Sequence, residues 1–123
     1  MTKLIAMAVP ILPGKTEAWK KWMHTCMNEK SKEFSESRQS LGVRERTYLQ
    51  QTPMGDFAIV TFEGEKPEAF LEKFAKGTDA FTQFFIDGVK ETSGMDLRQP
   101  MPGALPELFV DSGVVTHELT SAN

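Results

Sequence analysis

Leu4-Ile5-Ala6-Met7-Ala8-Val9-Pro10-Ile11-Leu12 is the stretch that decides the fold, because it is apolar on both alternating faces. A strand with one wet face alternates apolar and polar residues. Here Ile5, Met7, Val9 and Ile11 fall on one side and Leu4, Ala6 and Ala8 on the other, so both sides need cover. Nine residues are too few to span a bilayer. Pro10 and Pro13-Gly14 follow with no small-x-small cleavage site, so the run reads as a strand and not as the core of a signal peptide. Pro10 cannot donate to a ladder, which puts it near the strand end or on an unpaired edge.

Pro13-Gly14-Lys15-Thr16 breaks the strand and opens a helix, with Thr16 as N-cap and Glu17 in the first turn. Trp19, Trp22, Met23, Cys26, Met27 and Phe34 recur at helical spacing, with Lys20, Lys21, Asn28 and Lys32 opposite. That pattern predicts one helix from Glu17 to Ser37, followed by a polar run to Ser40 and Gly42. Val43 to Gln51 alternates as a strand, with Val43, Glu45, Thr47 and Leu49 on one face and Arg44, Arg46, Tyr48 and Gln50 on the other. The turn chemistry of Thr52-Pro53-Met54-Gly55-Asp56 joins it to a strand over Phe57 to Glu63, giving an antiparallel hairpin.

Gly64 and Pro67 end the hairpin. The stripe Phe70, Leu71, Phe74, Phe81, Phe85 and Val89, interrupted at Gly77-Thr78-Asp79, predicts two consecutive helices near Glu68–Lys76 and Ala80–Thr92, the second capped by Thr78 or Asp79. Pro100, Pro102, Gly103 and Pro106 make an extended connector. Glu107-Leu108-Phe109-Val110 reads as a last strand, and residues 113–123 as a polar tail beyond a single domain at 1–112. The order β-α-β-β-α-β is ferredoxin-like, an α+β class with a four-stranded antiparallel sheet and helices on one face. Two helices cover only one side of such a sheet. The other apolar side of the first strand is then left for a second copy about a two-fold axis, so a homodimer is expected.

Composition narrows the function classes. A chain of 123 residues with 40% hydrophobic and 25% charged residues is an ordinary single globular domain. It buries about 65% of its unfolded surface, enough for a core without staples. A net charge of −3 gives no basic stripe for nucleic acid. The single cysteine, Cys26, forms no internal disulfide and supplies no zinc cluster. No membrane partner and a cytoplasmic location are expected.

The chain resembles the dimeric α+β barrel superfamily, which includes antibiotic-biosynthesis monooxygenases and stress-responsive A/B-barrel proteins. The likeness lies in the apolar first strand running into Val9-Pro10-Ile11-Leu12-Pro13-Gly14-Lys15 and an amphipathic helix, and in the hairpin from Tyr48 to Phe57 followed by Phe62-Glu63-Gly64. It covers residues 3 to 111. What it implies is a homodimer whose sheets pack face to face into a barrel. Its members include cofactor-free oxygenases, isomerases and haem-handling enzymes, and no active-site motif of theirs matches this sequence residue by residue.

Candidate residues follow from the faces. Arg44, Arg46 and Tyr48 share one side of the second strand, where two guanidiniums and a phenol suit a small anionic or enolic ligand. The bland reading of the arginines is that they face water or pair with acidic neighbours. Trp22, with Trp19, would line a cleft for an aromatic molecule or simply fill the core. His24 falls on the wet flank of its helix, His117 sits in the tail, and neither has a ligand partner at metal spacing. Cys26 lies on the buried stripe and is read as an inert hydrophobe. Gly14-Lys15-Thr16 lacks the earlier glycine of a phosphate loop. The chemistry expected is therefore free of metal and cofactor. The resemblance implies a monooxygenase-like enzyme acting on a small aromatic or enolic molecule. The alternative is a non-catalytic dimer that binds a small molecule or responds to stress, which the lack of an acid–base pair favours.

Overall fold

The computed structural model describes residues 2–100 and 103–113. The tail expected at 113–123, with His117, therefore lies outside the described residues from 114 onward. The chain runs β1 (Lys3–Pro10), α1 (Thr16–Met27), α2 (Ser31–Ser40), β2 (Val43–Thr52), β3 (Gly55–Gly64), a 3-10 turn (Pro67–Ala69), α3 (Phe70–Phe74) and α4 (Ala80–Ser93). β3 is the middle strand and pairs antiparallel with β1 on one side and β2 on the other. β1 and β2 consequently run parallel with a strand inserted between them. This α+β arrangement is compatible with a ferredoxin-like fold.

Two expectations are corrected. The single helix from Glu17 to Ser37 is two helices, broken at residues 28–30. The Asn28 side-chain amide and its backbone N–H both donate to the His24 carbonyl, at 2.8 and 3.0 Å, so that oxygen stops serving the helix ladder alone. The break re-aims the chain, and α2 then runs to Ser40, carrying Phe34 and Arg38 into the core. The expected fourth strand at Glu107–Val110 carries no pairing, and the sheet of the described residues has three strands. The physical reason is local. A four-residue run directly after Pro106 offers few ladder bonds against the entropy of fixing its backbone. Leu108, Phe109 and Val110 remain 76%, 85% and 83% exposed.

The rest follows the residues. Thr52 Oγ1 donates to the Gly55 carbonyl at 2.6 Å and accepts from Met54 N–H at 3.1 Å, closing the hairpin around Pro53-Met54. Asp79 is the N-cap of α4, accepting from Thr82 N–H at 3.1 Å and from Thr82 Oγ1 at 2.7 Å. The Thr82 hydroxyl and N–H hold that carboxyl below its usual value. Gly94 ends α4 in the left-handed region at φ 75°, a conformation that glycine takes without a Cβ penalty.

The core lies between the sheet and the helices. Met7, Val43 and Phe62 face Cys26, Phe70, Phe74, Phe81, Phe85 and Ile86, while Ile11, Trp19 and Ala58 form a smaller cluster at one end. On β1 it is the Ile5, Met7 and Val9 set that meets the helices. Leu4, Ala6, Ala8 and Pro10 stay exposed on the opposite face.

Candidate functional site

Inside the covered face is a cavity of ≈ 70 Å³. Its floor is the inner side of the sheet, with Met7 and Val9 from β1, Thr47 from β2, and Ala58, Val60 and Phe62 from β3. Its roof is aromatic, built from Trp19 and Trp22 on α1, Phe70 and Phe74 on α3, and Phe85 on α4. Met95 and Leu97, just past α4, close one end. Arg98 pins that segment by donating to the Ala75 carbonyl and to Gln83 Oε1. The volume lies between the roughly 10–15 Å³ that holds one water and the roughly 150 Å³ of a cavity that takes benzene. It suits an occupant of one small ring or less.

One ion pair stands in this apolar wall. Arg38 Nε donates to Glu45 Oε1 at 2.7 Å, and both side chains are 5% exposed. Arg38 Nη1 donates to Ser37 Oγ at 2.9 Å, and Thr47 Oγ1 donates to Glu45 Oε2 at 3.1 Å. The guanidinium carbon sits 4.5 to 5.0 Å from the ring centres of Phe34, Phe70, Phe74 and Phe85. Four ring faces supply attraction that offsets part of the charge's desolvation, and a weakly hydrated guanidinium suits such a setting better than an ammonium. Among the described residues two buried donors find no protein acceptor: Arg38 Nη2 and Trp22 Nε1. Leaving a buried donor unmatched costs about 1–3 kcal/mol.

Trp22 reaches this place because α4 carries Gly88 opposite it. A Cβ on Gly88 would fall inside the indole ring. The indole therefore lies against the α4 backbone, 4.9 Å from the Phe85 ring centre.

The structure separates the residues named from the sequence. Trp22 lines the cavity. Arg44, Arg46 and Tyr48 point to the other side of β2, where all three are exposed. There Arg46 pairs with Glu63 at 3.5 Å. Arg46 and Tyr48 also border a groove beside β2 with Trp19, Met23 and Met27. His24 is exposed on α1. Burial pushes the Cys26 thiol up to about 11, well away from a thiolate nucleophile. Among the described residues there is no cluster of histidine, cysteine and carboxylate side chains able to hold a metal ion, and no helix long and apolar enough to cross a membrane.

Arg38 is the residue that sequence reasoning missed. It fell in the polar run past the expected helix end, although it lies four positions after Phe34 and so continues the same helical stripe. A second signal was Glu45, a carboxylate on the inward face of β2 between Val43 and Thr47, which needs a cation to be buried there. No protein-family model, curated protein or solved structure matches this chain.

Proposed function

We propose that the protein binds a small, largely apolar molecule in the cavity between sheet and helices, and that it does so as a homodimer of the α+β barrel kind. The observation carrying the ligand reading is the cavity itself, walled by aromatic rings and lined on the sheet side by small and flexible apolar side chains. At ≈ 70 Å³ it has about half the roughly 150 Å³ that takes benzene, so its size favours an enolic or other apolar molecule smaller than benzene.

Binding without turnover is the preferred form of this reading. The one carboxylate that borders the cavity, Glu45, is already engaged by Arg38 and Thr47, and no described histidine lines it. Proton abstraction lacks a free base there. A cofactor-free oxygenation would instead need a substrate that arrives ionised. The dimer rests on the open face of the sheet. Ala8 and Pro10 on β1 adjoin Ile59 and Phe57 on β3, with Tyr48 of β2 beside Ile59, an apolar area that a second copy would cover; Leu4 and Ala6 extend it along β1 opposite Glu63 and Thr61.

Thermal denaturation against a panel of apolar and enolic molecules smaller than benzene tests the ligand. An occupant held at about 100 times its Kd adds about 2.7 kcal/mol to stability. Val60→Phe, which fills the cavity, should abolish the shift. A flat panel, or equal shifts in the filled variant, rules the site out. Sedimentation velocity tests the dimer, which fails if a 13.8 kDa species alone is seen at micromolar concentration.

A further inference from the structure

Resting on the ligand reading above, we infer that the molecule taken by the cavity is a neutral carbonyl compound, a ketone or its enolisable relative, and that Arg38 and Trp22 select it by donating to its oxygen. The unmatched polar atoms in this part of the core are donors on both counts, Arg38 Nη2 and Trp22 Nε1. Both side chains line the cavity. A ligand that answers them must accept hydrogen bonds, which a carbonyl oxygen does with two lone pairs.

Charge separates the neutral acceptor from an anion. Arg38 is 4% exposed and its positive charge is already matched by Glu45 at 2.7 Å. No other charged side chain lines the cavity. A carboxylate or phosphate would bring a second negative charge beside Glu45 in a nearly dry wall and would lose more hydration than these two N–H groups restore. A pure hydrocarbon fills the space and leaves both donors unmatched. Thr47 and Ser93 add hydroxyls to the lining, and these adapt to either partner. Four rings within 4.5 to 5.0 Å of the guanidinium carbon, with the Glu45 bond, hold the group in place, so a ligand need not order it.

An isosteric pair reads the oxygen alone. Acetone and isobutene differ only by C=O against C=CH2, and both are smaller than benzene. Their affinities are measured by titration on the full chain, followed through the Trp22 indole N–H signal and the methyl signals of Val60 and Leu71. The ketone-to-alkene affinity ratio is compared with that of Arg38→Met/Glu45→Met, which exchanges the ion pair for apolar groups of similar length, followed through the same resonances. The ratio should fall at least tenfold in the double variant. It should also fall in Trp22→Phe, read on the methyl signals, and this second variant keeps the test decisive if the first does not fold. Alkene binding with an unchanged ratio in either folded variant overturns the carbonyl inference and leaves the cavity standing as a ligand site. Acetate binding more tightly than the ketone overturns it in favour of an anion. If neither probe moves any cavity signal, the site and the inference fall together.

Discussion

One strand presents two ion pairs to opposite worlds. On the inner face of β2, Glu45 meets Arg38 at 2.7 Å with both side chains 5% exposed. On its outer face, the next residue, Arg46, meets Glu63 at 3.5 Å with side chains 47% and 39% exposed. The chemical types are the same, and the backbone step between them is one residue. What differs is the dielectric surrounding each pair and the number of alternative partners. Water can replace either member of the outer pair, whereas the inner pair has only itself, Ser37, Thr47 and the faces of four phenylalanines. A pair is therefore an energetic commitment on the covered face and an option on the open one.

The largest effect should come from splitting the inner pair. Glu45→Ala leaves the Arg38 guanidinium buried without its counter-charge and should cost about 3–5 kcal/mol in urea unfolding. Removing both charges in Arg38→Met/Glu45→Met should recover most of that loss, since an apolar replacement of similar volume carries no desolvation cost. If Glu45→Ala loses less than about 1 kcal/mol, Arg38 has found water and the covered face is not dry.

Much of this contrast was legible in the sequence, and the reasons for the remainder are specific. The alternation from Val43 to Gln51 already divides the inner and outer sets of β2 correctly, because a strand's period of two does not depend on what packs against it. The hairpin and the Asp79 cap of α4 were readable for the same reason, since turn and cap chemistry is local. The break after Met27 was not readable from the stripe. Asn28 is compatible with a helix surface, and the ladder departs from its i→i−4 pattern only beyond it, where Lys30 N–H donates to the Thr25 carbonyl. That one misjudged boundary hid Arg38, and with Arg38 the only charged pair in the cavity wall. Among the candidates, Trp22 was placed by its helical spacing. The arginines of β2 face the side of the sheet that no helix of the described residues covers, where Arg46 meets Glu63 instead of a ligand pocket.

A middle-sized effect tests how closely the covered face is packed. In an exposed helix interior, Gly→Ala gains about 1 kcal/mol from backbone entropy. At Gly88 the new methyl would overlap the Trp22 ring, and forcing an extra carbon into a packed site costs about 1–3 kcal/mol. Trp22 would also have to leave its place beside Phe85 at the cavity wall. The expected result for Gly88→Ala is a net loss of stability, with a changed environment for the Trp22 indole in fluorescence. A net gain near the helix-propensity value would mean that the indole slides aside freely and that the roof is soft.

The smallest effect should be on the open face. Arg46→Ala removes a pair that is half in water, where side-chain ordering offsets most of the Coulomb gain, so the cost should stay under about 1 kcal/mol and shrink further as salt is raised. The measurement belongs at two protein concentrations, because the apolar residues on the same face, Leu4, Ile59 and Tyr48 among them, are the ones a second copy would cover. Arg46 sits toward the polar side of that area, opposite Thr61 and one pleat from Glu63. As a rim residue it would contribute little to association, and its loss should not depend on concentration. A cost of several kcal/mol that shrinks as the protein is diluted and the copies separate would instead bury Arg46 between copies. The two pairs on β2 would then differ in which chain seals them and not in whether they are sealed.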